Sequence, residues 1–111
     1  MDSALIYAAS DSLKFKVKWQ SARPESEWIY FGAQDEVNIP LALKTINEYF
    51  ADGPLNIAFG RKDSIQVNKA EIQKAIQAAL GKISFFVWDK DFKRVIEFNH
   101  IGVFRIGIIL A

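Results

Sequence analysis

Along Leu13-Lys14-Phe15-Lys16-Val17-Lys18-Trp19 every second position is apolar, four apolar side chains against three lysines, and this period of two predicts a strand. Residues 4–8 are read as a shorter strand before it. Residues 21–26, with Pro24, read as a loop, and residues 28–31 as the next strand, ending at Gly32. The period then becomes helical. Asn38 is the expected N-cap, Pro40 lies in the first turn, and Leu43, Ile46 and Phe50 recur at helical spacing until Asp52-Gly53-Pro54 stops the run. Asn68 with Glu71 three residues later has the spacing of a capping box. Ile72, Ala75, Ile76, Ala79 and Leu80 then make one apolar stripe, ended by Gly81. Between the two helices, residues 55–59 and 64–67 predict a hairpin around Gly60-Arg61-Lys62-Asp63.

Beyond Gly81 the pattern is β again. Residues 83–88 are apolar on both faces apart from Ser84, which places them mid-sheet. Asp89-Lys90-Asp91 and Asn99-His100-Ile101-Gly102 connect this strand to residues 92–98 and 103–110. Links so short join only antiparallel neighbours, giving a C-terminal three-stranded meander. The expected fold class is α+β: a single domain over residues 1–111, mainly an antiparallel sheet with two helices packed on one face. An unpaired strand at residues 103–110 would be free to pair with a symmetry mate, which leaves a homo-oligomer open.

Composition narrows the function classes. The chain has 111 residues, half of them apolar, with three Trp and nine Phe, enough for a continuous core. It has no Cys, so disulfides, thiolate metal sites and a cysteine nucleophile are excluded, and a reducing, cytoplasmic setting is expected. Asp2 stands where a secretory leader would carry a base, and the apolar run at residues 101–111 is too short to span a bilayer, so no membrane association is expected. Net charge is +1, distributed as −3 over residues 1–55 and +4 over residues 56–111.

Candidate chemistry is sparse. His100, the only histidine, would need Asp91 or Glu97 as an acid-base partner and Arg94 or Arg105 to stabilise an anion, as in a small metal-independent enzyme or ligand-binder; the alternative is an ordinary turn residue. Asp89 and Asp91 have the spacing that opens a calcium loop but lack its Gly and terminal Glu, so no metal site is expected. Gly60-Arg61-Lys62 completes neither phosphate-binding glycine pattern, and no cofactor is expected. Lys14, Lys16 and Lys18 would form a ladder spaced about 7 Å on one strand face, suited to phosphates or to guarding a sheet edge. Phe15 and Trp19 would point to the other face, which disfavours nucleic acid as partner.

No stretch reproduces a family motif. By exclusion the sequence points to a non-enzymatic protein-interaction module, with an immunity or antitoxin-type protein that neutralises a partner toxin or nuclease as the concrete form. The expected partner-binding residues are Glu25, Glu27, Trp28, Asp35 and Glu36, the carboxylates taking the place of phosphates; no catalytic residue is assigned.

Overall fold

Asp2 opens a helix where a strand is expected. Its carboxylate accepts the Leu5 N–H at 2.9 Å, capping helix α1 (Ser3–Leu13), which is rich in the strong helix formers Ala and Leu. The alternating lysine segment does not become a strand either: Lys14–Lys16 is a 3-10 turn continuing α1, and only β1 (Lys18–Trp19) is extended. Phe15 is 83% exposed, so the alternation does not mark a half-buried surface.

The computed structural model describes residues 2–110, and the remaining elements follow the sequence closely. They are β2 (Ile29–Tyr30), α2 (Ile39–Tyr49), β3 (Pro54–Ala58), β4 (Ile65–Asn68), α3 (Ile72–Ile76), β5 (Phe85–Asp89), β6 (Arg94–Asn99) and β7 (Val103–Ile108). Asn38 caps α2 through the Leu41 N–H. Asn68 instead caps a 3-10 turn, Lys69–Glu71, through the Ala70 N–H, so the capping-box geometry is not formed. α3 ends at Ile76, but the turns after it still bury Ala79 and Leu80 before Gly81.

All strands pair antiparallel, in the order β1-β7-β6-β5-β3-β4, with β2 also on β7. β5 is interior and β5-β6-β7 is the expected meander. β7 is not a free edge: its outer side is shared by β1, opposite Gly107 and Ile108, and by β2, opposite Val103 and Phe104. The symmetry-mate pairing expected from residues 103–110 therefore has no open strand to use.

Alternation along β5 divides the core. Phe85 and Val87 face α2 and α3, joining Ala42, Ile46, Ile72, Ile76, Ile96 and Phe98 in the main cluster. There Phe31, Phe85, Phe98 and Phe104 meet ring to ring at 5.2–5.7 Å. The two predicted helices thus share one face. Trp88 points to the opposite face, fully buried, and its indole N–H donates to the Ser10 hydroxyl at 2.9 Å. α1 therefore covers the second face over β3 and β4, with Ser10 reaching Trp88 on β5. From there residues 14–19 cross diagonally to β1 over Gly107, where a Cβ would stand 2.4 Å from the Val17 Cγ1 and 2.9 Å from the Lys18 carbonyl oxygen. Over β6 and β7 that face is covered in turn by residues 14–19 and by Trp19 and Trp28, leaving Phe86, Glu97, Val103 and Arg105 only partly exposed.

Candidate binding surface

The part of the second face over β6 and β7 is built around Arg105. Phe104 enters the main core, and the cross-strand pair Glu97↔Arg105 puts both charged side chains on the other side. β1 stops at Trp19, and after Gln20 donates its N–H to the Ile106 carbonyl at 2.8 Å the chain leaves the sheet. It turns back between Arg23 and Ser26, joined by reciprocal backbone bonds of 3.1 Å, with Pro24 and Glu25 at the corners. Glu25 takes a left-handed φ of +67° there. Glu27 and Trp28 then lead into β2. The loop at residues 20–28 leaves and rejoins the sheet on either side of Arg105, which is why residues far apart in the chain meet on it.

The guanidinium lies 3.9 Å from the Trp19 ring centroid and 4.4 Å from that of Trp28. Its Nε donates to Glu97 Oε1 at 2.9 Å, Nη2 lies 2.8 Å from the same oxygen, and Nη1 donates to Glu27 Oε1. The Arg105 side chain is 21% exposed, Glu97 15% and Glu27 38%. A planar cation faced by indoles and edged by carboxylates is held in one geometry, which a lysine would not reproduce. The three charges sum to −1.

Around this centre the face is aromatic. Phe86 pairs with Glu97 across β5 and β6, and Tyr30, 66% exposed, pairs with Val103. Lys14 stands over the rings of Phe15 and Phe86 at 5.2 and 6.0 Å, which brings the exposed Phe15 to the same surface.

Of the residues expected from sequence, Glu27 and Trp28 come together here, and Glu25 sits exposed at the loop corner. Asp35 and Glu36 do not join them. They lie in a 3-10 turn, Gln34–Glu36, anchored by Gln34 N–H to the Gly81 carbonyl, and Asp35 lines a shallow depression with Lys74 and Lys82 on the α3 side of the sheet. The acidic set is thus split between the two sides of the molecule. The lysine ladder is also absent: Lys14 pairs with Asp11 at 3.0 Å, and Lys14 and Lys16 occupy a helical turn rather than a strand face.

The histidine site is not assembled. His100 follows β6 and Asp91 precedes it, about 20 Å apart by strand rise, and Glu97 is engaged with Arg105. His100 instead closes its turn with Ser84, whose hydroxyl lies 2.9 Å from Nδ1 and accepts the His100 backbone N–H at 3.0 Å. Asp89 spends Oδ1 on the Lys93 and Arg94 backbone N–H groups, and among the described residues no group of three His, Asp or Glu could hold a metal ion. Gly60 to Asp63 is the β3–β4 turn, docked on α1 through the Ser3 hydroxyl, which donates to the Arg61 carbonyl and accepts the Ser64 N–H. Among the described residues no helix is long and apolar enough to cross a membrane.

Sequence reasoning missed Trp19, Tyr30, Phe86 and the exposure of Phe15 as members of one surface. One signal was present: with the turn at Asn99 to Gly102, Glu97 and Arg105 fall opposite each other as a cross-strand ion pair. No protein family, no curated protein and no solved structure matches this chain.

Proposed function

We propose that the chain is a protein-binding module that contacts its partner through the loop at residues 20–28 and the partly exposed side chains beside it on the sheet's second face. The observation that supports this most is the fixed Arg105–Trp19–Trp28 group on a surface that also exposes 83% of Phe15 and 66% of Tyr30. Trp, Tyr and Arg are the residues that dominate interface energetics, and side chains already ordered lose less entropy on binding. An exposed Phe and an exposed Tyr are also available to a partner there.

The narrower reading, neutralisation of a partner toxin or nuclease, is supported by the carboxylates of Glu25 and Glu27 beside these anchors. Asp35 and Glu36, on the other side of the sheet, are not part of the proposed contact. The absence of cysteine suits a reducing compartment, so cytoplasmic extract of the source organism is the material to search. Capture on the wild type, on Tyr30→Ala and on Asp35→Ala, each quantified by mass spectrometry, tests the assignment. A stoichiometric protein held by the wild type and Asp35→Ala but lost by Tyr30→Ala supports it, and the activity of that protein decides the narrower reading. Capture unaffected by Tyr30→Ala, or no stoichiometric protein at all, overturns it.

A further inference from the structure

We propose that β4 pairs antiparallel with the β4 of a second copy of this chain, about a twofold axis at Val67 that joins the two sheets edge to edge. β4 lies at the opposite end of the sheet from β7 and the loop at residues 20–28, so this contact is independent of the one proposed there.

Strand order leaves β4 with one neighbour, β3, and the register fixes which backbone groups that neighbour uses. Lys69 N–H donates to the Gly53 carbonyl at 2.8 Å, just outside the pair Pro54↔Asn68. That bond makes Asn68, and two residues earlier Gln66, the non-hydrogen-bonded positions of the ladder, whereas Ile65 and Val67 exchange bonds with Ile57 and Leu55. The backbone groups of Gln66 and Asn68 therefore point away from β3. Both residues are exposed, and among the described residues neither N–H nor the Gln66 carbonyl has a hydrogen-bond partner. The Asn68 carbonyl closes the i→i+3 turn at Lys69–Glu71, and its second lone pair is free.

The length of this edge says what fits it. Before Gln66, Ser64 is buried and its N–H donates to the Ser3 hydroxyl of α1 at 2.9 Å. After Asn68 the chain turns into the 3-10 helix and α3. A long extended strand laid on Gln66 and Asn68 would run into α1 at Ser64. The β4 of a second copy does not. With Val67 opposite Val67, each Gln66 faces the other copy's Asn68 and exchanges two backbone bonds with it, four in all. The other copy then leaves the sheet at Lys69, opposite Ile65 and one residue short of Ser64. A twofold between antiparallel neighbours is perpendicular to the sheet and keeps like faces together, so that exit is towards the α3 side, away from α1. Nothing in β4 opposes the pairing: Ile65–Asn68 has no charge and no proline, the usual guards of an edge. At the other end of the sheet β1 and β2 are two residues each, and β1 carries Lys18.

Sedimentation equilibrium over a concentration series tests the proposal. An edge this short makes a weak pair, so wild type is expected to move from one chain mass towards twice that mass as concentration rises. Asn68 supplies the decisive comparison. Its φ is −70° and its N–H is unused within the chain, so proline fits there without strain. Asn68→Pro and Asn68→Ala both lose the cap on the Ala70 N–H, but only Asn68→Pro loses two of the four bonds between copies. Asn68→Pro is expected to weaken the dimer at least about tenfold relative to Asn68→Ala, with circular dichroism showing that both variants fold. Hydrogen exchange tests the same pairing without a substitution: the Gln66 and Asn68 amides of wild type are expected to slow as concentration rises. A wild type that is monomeric at its highest soluble concentration overturns the proposal. So does a dimer weakened equally by the two variants, or one whose Gln66 and Asn68 amides exchange as fast as in dilute protein, since another surface then holds it.

Discussion

Replacing Arg105 tests whether the loop at residues 20–28 is held as described. In Arg105→Ala two indole contacts disappear, each worth about 0.5–2 kcal/mol at a partly desolvated site. Two ion pairs go with them, discounted to about 1 kcal/mol together because Glu27 is substantially exposed. Glu97, only 15% exposed, is left without its guanidinium partner, a further cost of about 1 kcal/mol. These contributions are coupled, so the expected loss is about 3 kcal/mol rather than their full sum. For a domain of this size that lowers Tm by roughly 12 °C. Arg105→Lys keeps the charge but not the planar stack or the two-sided fork, and is expected to recover less than half of the loss. Urea unfolding followed by circular dichroism measures the energy, and tryptophan emission reports the mechanism. Trp19 and Trp28 gain water and shift to the red, while Trp88, buried under α1, does not. A loss below about 1 kcal/mol, or an Arg105→Lys variant indistinguishable from wild type, would refute the reasoning.

Four other outcomes are expected. Ser10→Ala leaves the buried Trp88 N–H without an acceptor and should cost about 1–3 kcal/mol in chemical denaturation, whereas Ser10→Thr, which keeps a hydroxyl, should cost less. Gly107→Ala drives a methyl into Val17 and the Lys18 backbone and should destabilise by about 1–3 kcal/mol, releasing β1, which hydrogen exchange at Lys18 and Trp19 would report. Glu25→Gly relieves a left-handed backbone and should raise stability by up to about 1 kcal/mol on thermal melting, while weakening the contact proposed for its carboxylate. Tyr49, whose hydroxyl donates to the Gly107 carbonyl, has its pKa raised above the ordinary 10.0 by burial, with Asp89 adding to the rise and Arg94 opposing it. A raised folded value favours the neutral form, so this contribution is complete below about pH 10 and is lost as pH climbs through the folded value. Stability measured against pH in that alkaline range should fall for wild type and fall less for Tyr49→Phe.

The parts of the fold visible in sequence are those whose partners are close in the chain. The α2 cap at Asn38, the β3–β4 hairpin and the β5-β6-β7 meander each announce themselves through local period and turn chemistry. The N-terminal third does not. Residues 13–19 alternate as a strand should, but the Ala- and Leu-rich stretch before them, capped by Asp2, extends a helix to Leu13 and turns Lys14–Lys16 with it. Ser10 also hides the buried stripe of α1, because its polarity is matched by an indole 78 residues away. The Arg105 cluster was hidden for the same reason. Each of its residues could be suspected for its chemistry, but Glu27 and Arg105 are 78 residues apart and meet only because β7 carries both half-strands.

The sharing of β7 by β1 and β2 also sets an order of assembly during synthesis. Neither half-strand has a partner until a strand more than seventy residues downstream has been made. At ordinary elongation rates the gap between Glu27 and Arg105 is a wait of roughly 4–16 s. Throughout it Trp19, Trp28 and Phe15 travel on an unanchored nascent segment. A chaperone holding residues 13–31 until β7 arrives would shield the two indoles that the finished fold gathers around Arg105.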